Sequence, residues 1–172
     1  MGSKKYLIVW VLFVLSQIFD SPSIAIDSQS NRATLKGLTG VGVLVEKLPA
    51  ELEKEGLHRD QIQKDVEAML KKAGIKVYSR EECSKIPGEP YLYINLNVNV
   101  AKTESDIYPY TIDIMLIQKV SLIRDPHRVA YAVTWSTGGV GSVTKSIVSQ
   151  LRENVAEVVE IFIQRFLAEN PK

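Results

Sequence analysis

Tyr91-Leu92-Tyr93-Ile94-Asn95-Leu96-Asn97-Val98-Asn99-Val100 alternates without interruption. Leu92, Ile94, Leu96, Val98 and Val100 share one parity; Tyr91, Tyr93, Asn95, Asn97 and Asn99 share the other. A period of two is that of a strand with one face on a core and the other turned outward. The chain around it therefore has to supply a sheet and something to cover the sheet's apolar side.

Downstream, Tyr110 to Arg124 is a second long extended segment. Tyr110, Ile112, Ile114, Leu116, Val120 and Leu122 lie on one parity, but Met115, Ile117 and Ile123 lie on the other. Strands of this length usually bend or carry a bulge, which predicts a switch of face partway along. Asp125-Pro126-His127 is the expected turn, and Val129 to Trp135 the last strand of an antiparallel meander. Ile147, Leu151, Val155, Val158, Phe162 and Phe166 then mark one face of a long helix that ends before Asn170-Pro171. The stretch between, Gly138 to Gly141, reads as a glycine-rich connection.

Upstream, Val41, Val43 and Val45 alternate in a short strand that Pro49 ends. Leu57 and Ile62 stand as a hydrophobic staple, with Gln61 in capping-box position, so a helix is expected from about Arg59. Ile62, Val66, Met69, Leu70 and Ala73 form its stripe, Gly74 its left-handed close, and Ile75 and Val77 a following strand. Strand, helix, strand implies two parallel strands with a right-handed crossover. Ser79 and Glu82 cap a single helical turn that carries Cys83. The predicted order is β-α-β-β-β-β-α. This is an α+β fold, a two-layer sandwich with a mixed, mostly antiparallel sheet and two helices on one face.

The first residues point to export. Lys4 and Lys5 precede an apolar run from Tyr6 to Phe19, and Ser23 and Ala25 supply small side chains before an expected cut after Ala25. The run is shorter than the roughly 20 residues of a membrane span. The expected organisation is a signal peptide over 1–25, a flexible polar leader over 26–36 and one domain over 37–172, with no membrane span after cleavage and a periplasmic or extracellular location.

The full chain carries 21 basic and 20 acidic side chains; removing Lys4, Lys5 and Asp20 leaves 19 of each. A neutral chain without a basic cluster has no electrostatic footprint for nucleic acid. Cys83 is the single cysteine, so no intramolecular disulfide forms and packing must hold the domain.

No catalytic constellation, metal set or cofactor motif stands out. Cys83 with His58 or His127 has the residue types of a nucleophile and base, but nothing in the sequence brings them together. Ser136 to Ser142 followed by Lys145 lacks the glycine that a phosphate loop needs directly before its lysine. Gly138, Gly139 and Gly141 still present main-chain N–H groups ahead of a helix, where an anion can bind. The face of Tyr91, Tyr93, Asn95, Asn97 and Asn99 offers rings and amides suited to recognising protein or glycan, or else is an ordinary solvated face. If Met115 and Ile117 join it, the surface becomes amphipathic and an interface is favoured.

The leader, the Leu38 to Leu48 strand, Gln61 to Val77, the Pro90 to Asn95 strand and Ala132 to Thr137 together resemble a family of small, uncharacterised exported bacterial proteins. The element order also resembles envelope modules typified by the amino-terminal domain of TolB and by curli-secretion-type lipoproteins. The second likeness is architectural, and the chain lacks a lipidated cysteine and a propeller. The first likeness brings no known activity with it and the second carries over no functional residue, so the expected function rests on the residues themselves: an exported, non-enzymatic binding or assembly module acting through its sheet face or an edge strand, with an envelope protein or a second copy as partner. The rival is an enzyme with a site near Cys83, Asp125, His127 and the Gly138 to Gly141 stretch.

Overall fold

The computed structural model describes residues 26–100 and 106–171; the expected signal peptide and its cut after Ala25 lie outside them. Five strands form one sheet in the order β2-β1-β3-β4-β5. They are β1 (Gly40–Val45), β2 (Lys76–Tyr78), β3 (Tyr91–Val98), β4 (Ile107–Leu122) and β5 (Asp125–Thr144). β1 lies parallel to both β2 and β3, while β3, β4 and β5 pair antiparallel. The α+β class and the order of elements along the chain are those expected from the sequence.

The helices are α1 (Gln29–Arg32), α2 (Ala50–Lys54), α3 (Arg59–Lys72), α4 (Arg80–Cys83) and α5 (Leu151–Glu169). Two are long, and they cover one side of the sheet. α3 buries Ile62, Val66 and Leu70, and Gly74 closes it with φ +81. α5 buries Leu151, Val155, Val159, Phe162, Ile163 and Phe166. Opposite them stand the alternate strand residues Val41, Val45, Leu92, Ile94, Leu96, Ile112, Ile114 and Leu116, all nearly solvent-free. Trp135 is fully buried against Phe162, with ring centroids 5.4 Å apart. Arg152 of α5 clamps the two helices together, donating to Asp65 at 2.6 and 2.9 Å and to Gln61 at 3.0 Å.

Three local expectations are corrected. Gln61 does not reach back to cap α3, because its side-chain oxygen is taken by Arg152. The meander turns at Ile123-Arg124, one step before the expected Asp125-Pro126-His127, since Asp125 already pairs with Leu122. Most consequentially, the last strand does not stop at Trp135 but runs through Gly138 to Gly141 as far as Thr144. These glycines answer to close packing. A Cβ on Gly138 would sit 2.3 Å from the Ile112 carbonyl oxygen, and one on Gly141 would sit 2.6 Å from the Tyr110 hydroxyl, whose ring lies across it. The helix accordingly begins later, at Leu151, after a 3-10 stretch from Lys145 to Gln150 that leaves Ile147 half-exposed.

A bulge is present, but it lies on β5 and not, as expected, in the β4 segment, whose own parity does not switch. Leu116 faces Trp135 while Ile117 faces Val133, so Thr134 of β5 is the unopposed residue.

Residues 26–36, expected as a flexible leader, are folded onto the sheet. α1 leads into a 3-10 turn over Ala33–Leu35, and Leu35 is fully buried. Asp27, 15% exposed, accepts from Trp135 Nε1 at 2.7 Å, from Arg32 at 2.7 Å through both oxygens and from Arg165 at 3.1 Å. Burial acts to raise the Asp27 carboxyl, but the bonds from Arg32 and Trp135 and the charges of Arg165 and Arg32 outweigh it and hold it below its ordinary value. Polar composition hid this segment because its partners lie more than a hundred residues away.

Candidate functional site on the open sheet face

Among the described residues, the side of the sheet away from α3 and α5 has no long helix over it; only α4 and the loop after it lie above one corner. Parity puts Tyr91, Tyr93, Asn95 and Asn97 on this side, since Leu92, Ile94, Leu96 and Val98 are buried on the other. β3 ends at Val98, and Asn99 lies just past it, its N–H donating to Pro109 O at 2.9 Å.

Register assembles the face row by row. Gly42, Tyr91, Ile117 and Val133 lie side by side; Leu44, Tyr93, Met115 and Ser136 make the next row. Asn95, Asp113 and Gly138 follow, then Asn97, Thr111 and Val140. Met115 and Ile117 therefore do join the tyrosines. Two rows are apolar and aromatic and two are polar, and Leu44 is 43% exposed at the seam between β1 and β3.

The tyrosines are held by carboxylates at the margins. Tyr93 donates to Glu46, and that bond, together with partial burial, pushes its phenol up to about 12. The same bond and the Lys47 amide hold Glu46 below the usual carboxylate range. Tyr131 donates to Glu89, which Lys119 also contacts at 3.0 Å, and these two bonds lower the Glu89 carboxyl. Tyr91 meets Tyr131 edge-on at 6.3 Å. Phenols fixed in this way present ring area with little rotameric freedom left to lose on contact.

Cys83 sits at the corner of the face above Gly42, whose Cβ position lies 3.5 Å from the sulfur. Its thiol is buried, donates to Pro90 O at 3.2 Å, and is pushed up first by burial. A raised thiol holds little thiolate at neutral pH, the reverse of an activated nucleophile. The cleft beside it, about 610 Å³, is lined by Tyr78, Arg80, Cys83, Glu89, Tyr91 and Tyr131 and by neither histidine. His58 lines a second cleft of about 650 Å³ at the end of β1, and His127 lies on the hairpin beyond β3. The residues of the rival enzymatic reading are thus distributed over separate parts of the fold. Among the described residues no group of three or more His, Cys, Asp or Glu side chains is placed to hold a metal ion.

Gly138, Gly139 and Gly141 lie in an extended strand and not at a helix N-terminus, so the anion cradle expected of them is absent. Gly138 lies on the open face beside Asp113, whereas Gly139 and Gly141 face the helices. Sequence reading missed Leu44, Tyr131 and Val133 on the open face. The parity of Leu44 between Val43 and Val45 was a usable signal; that of Tyr131 and Val133 depended on the bulge at Thr134.

The fold and site define an α+β protein with one covered and one open sheet face. No protein-family profile matches the chain, and no curated protein matches it. Among solved structures it is similar to a minor lipoprotein from Acinetobacter baumannii at 8% identity, with 78% of this chain and 85% of that chain covered and a TM-score of 0.27. Among the described residues no helix is long and apolar enough to cross a membrane.

Proposed function

We propose that the protein is an exported, non-enzymatic binding module that docks an envelope protein on its open sheet face. The observation carrying this reading is the contiguous patch of Leu44, Tyr91, Tyr93, Met115, Ile117 and Val133, set in two neighbouring rows and bordered by amides and carboxylates. An apolar centre holding two tyrosines and a methionine inside a polar rim has the composition of a recognition surface. A solvated outer face would alternate polar residues across all four rows.

The double variant Tyr93→Lys, Asn97→Lys places charge in one apolar and one polar row without entering the core. In intact cells, crosslinking followed by mass spectrometry is expected to capture a reproducible envelope protein with the native chain and to lose it with the variant. Circular dichroism and thermal melting report that the variant is folded. Capture that persists unchanged with a folded variant rules out the face as the docking surface.

A further inference from the structure

The two edges of the sheet differ in kind. β2 is three residues long, carries Lys76 and leads within two residues into α4. The outer edge of β5 is long, and from Ser136 to Thr144 it contains neither a charged residue nor a proline. Edges of proteins that stay apart are shortened, charged, bulged or covered, because outward N–H and C=O groups recruit other strands. Among the described residues only Ile26, at Ser136, covers any of this stretch.

Two bonds fix which groups point outward. The Ser136 N–H faces away from β4 and donates to the Ile26 carbonyl at 3.2 Å, whereas the Lys145 N–H faces inward and donates to Asp106 at 2.8 Å. Pairing with β4 is regular from Trp135 to Thr144. Alternation therefore turns both main-chain groups of Gly138, Val140 and Ser142 outward. No described residue bonds them, and Val140 is 77% exposed. The contact with Ile26 shows that this edge accepts main-chain partners and also closes its upstream end.

We infer that the free edge of β5 pairs antiparallel with the same edge of a second copy, across a two-fold axis at Val140. In that register Gly138 faces Ser142 of the second copy and Val140 faces its counterpart, each pair exchanging both bonds. The stretch opposes no like charges, and the small side chains of Gly138 and Ser142 keep the seam flat. Ile26 limits the pairing, because at Ser136 it stands opposite Thr144 of the second copy. From Ser136 to Thr144 the edge carries no charge to select an unrelated peptide, whereas a two-fold pairing needs only its own register. The axis is perpendicular to the sheet, so both open faces look the same way and the dimer presents two docking surfaces side by side. This pairing uses the edge and not the face, so it stands whether or not the open face binds a partner.

The test is light scattering on protein purified after export, from about 1 μM to about 1 mM, the range in which so small an interface associates. Twice the monomer mass is expected at the upper end. Val140→Pro removes an outward donor and no bond to β4, a placement edge strands tolerate, and is expected to weaken dimerisation about tenfold or more. Val140→Lys sets two like charges opposite each other at the axis and is expected to do the same; it decides the matter if the proline variant does not fold. A native chain that stays monomeric throughout overturns the inference, as do folded Val140 variants that dimerise like the native chain. So does a dimer that Tyr93→Lys, Asn97→Lys abolishes and Val140→Lys leaves intact, which would place the contact on the face.

Discussion

Replacing Asp27 by alanine is the sharpest test of whether residues 26–36 belong to the fold. The carboxylate is the acceptor for the Trp135 indole N–H at 2.7 Å, and Trp135 is fully buried. Leaving that donor without its partner costs about 1–3 kcal/mol. Arg32 and Arg165 lose their bonds too, but their side chains are 37% exposed and turn to water, so together they add only about 1 kcal/mol. Asp27→Ala is expected to destabilise by about 2–4 kcal/mol, or roughly 6–12 °C in melting temperature for a domain of this size. Asp27→Asn keeps an oxygen for Trp135 and is expected to lose less than half of that. Urea unfolding followed by Trp135 fluorescence measures both. The Asp27 carboxyl is lowered in the fold, so its stabilisation is fully present above the unfolded value of about 3.9 and is lost as pH falls through the lower folded value. The gap between native chain and alanine variant should be level from about pH 7 to pH 5 and narrow below about pH 4. An alanine variant within about 0.5 kcal/mol of the native chain at neutral pH would refute the reasoning and return the segment to a loose leader.

Two further outcomes follow from the same geometry. Gly138→Ala forces a Cβ to 2.3 Å from the Ile112 carbonyl oxygen while Gly139→Ala meets open space, so denaturant unfolding should show a loss of about 1–3 kcal/mol for the first and a change within about 0.5 kcal/mol for the second; equal effects contradict the close approach of β4 and β5. In a spectrophotometric titration Tyr93 should remain protonated at pH 11 in the folded protein, with its phenol at about 12, and Glu46→Gln should return it toward the ordinary value of about 10. Since the folded value is the higher one, the stabilisation from this pair is present below about pH 10 and disappears as pH rises through about 12. Full ionisation of the native protein's tyrosines by pH 11 would contradict the Tyr93–Glu46 bond.

The parts of the fold legible in the sequence are those set by local periodicity. The alternation of β3, the stripe and glycine stop of α3, and the capping box of Ser79 and Glu82 are read directly and found in place. The doubled parity of β4 announces a bulge, but that the extra residue is Thr134 of β5 depends on pairing. Gly138 to Gly141 misled because glycine marks loops by local rules, whereas here the closeness of Ile112 and the ring of Tyr110 require it. The same limit applies to the site. The Tyr and Asn row was visible by parity, while its joining with Leu44 and Val133 follows from strand order, which no single strand encodes.

The N-terminal segment also determines when the domain can finish folding. Residues 26–36 leave the ribosome before the rest of the described chain, yet they dock on its later-made parts. Asp27 waits for Trp135 and Arg165, the Gly37 amide for Asn170 Oδ1 at 2.8 Å, and the Leu35 carbonyl for Asn170 Nδ2 at 2.9 Å. Contacts this distant in sequence form late and make completion slow. A chain stalled before α5 emerges lacks the closing contacts at both ends of the described domain, so the domain stays open until Asn170 is available.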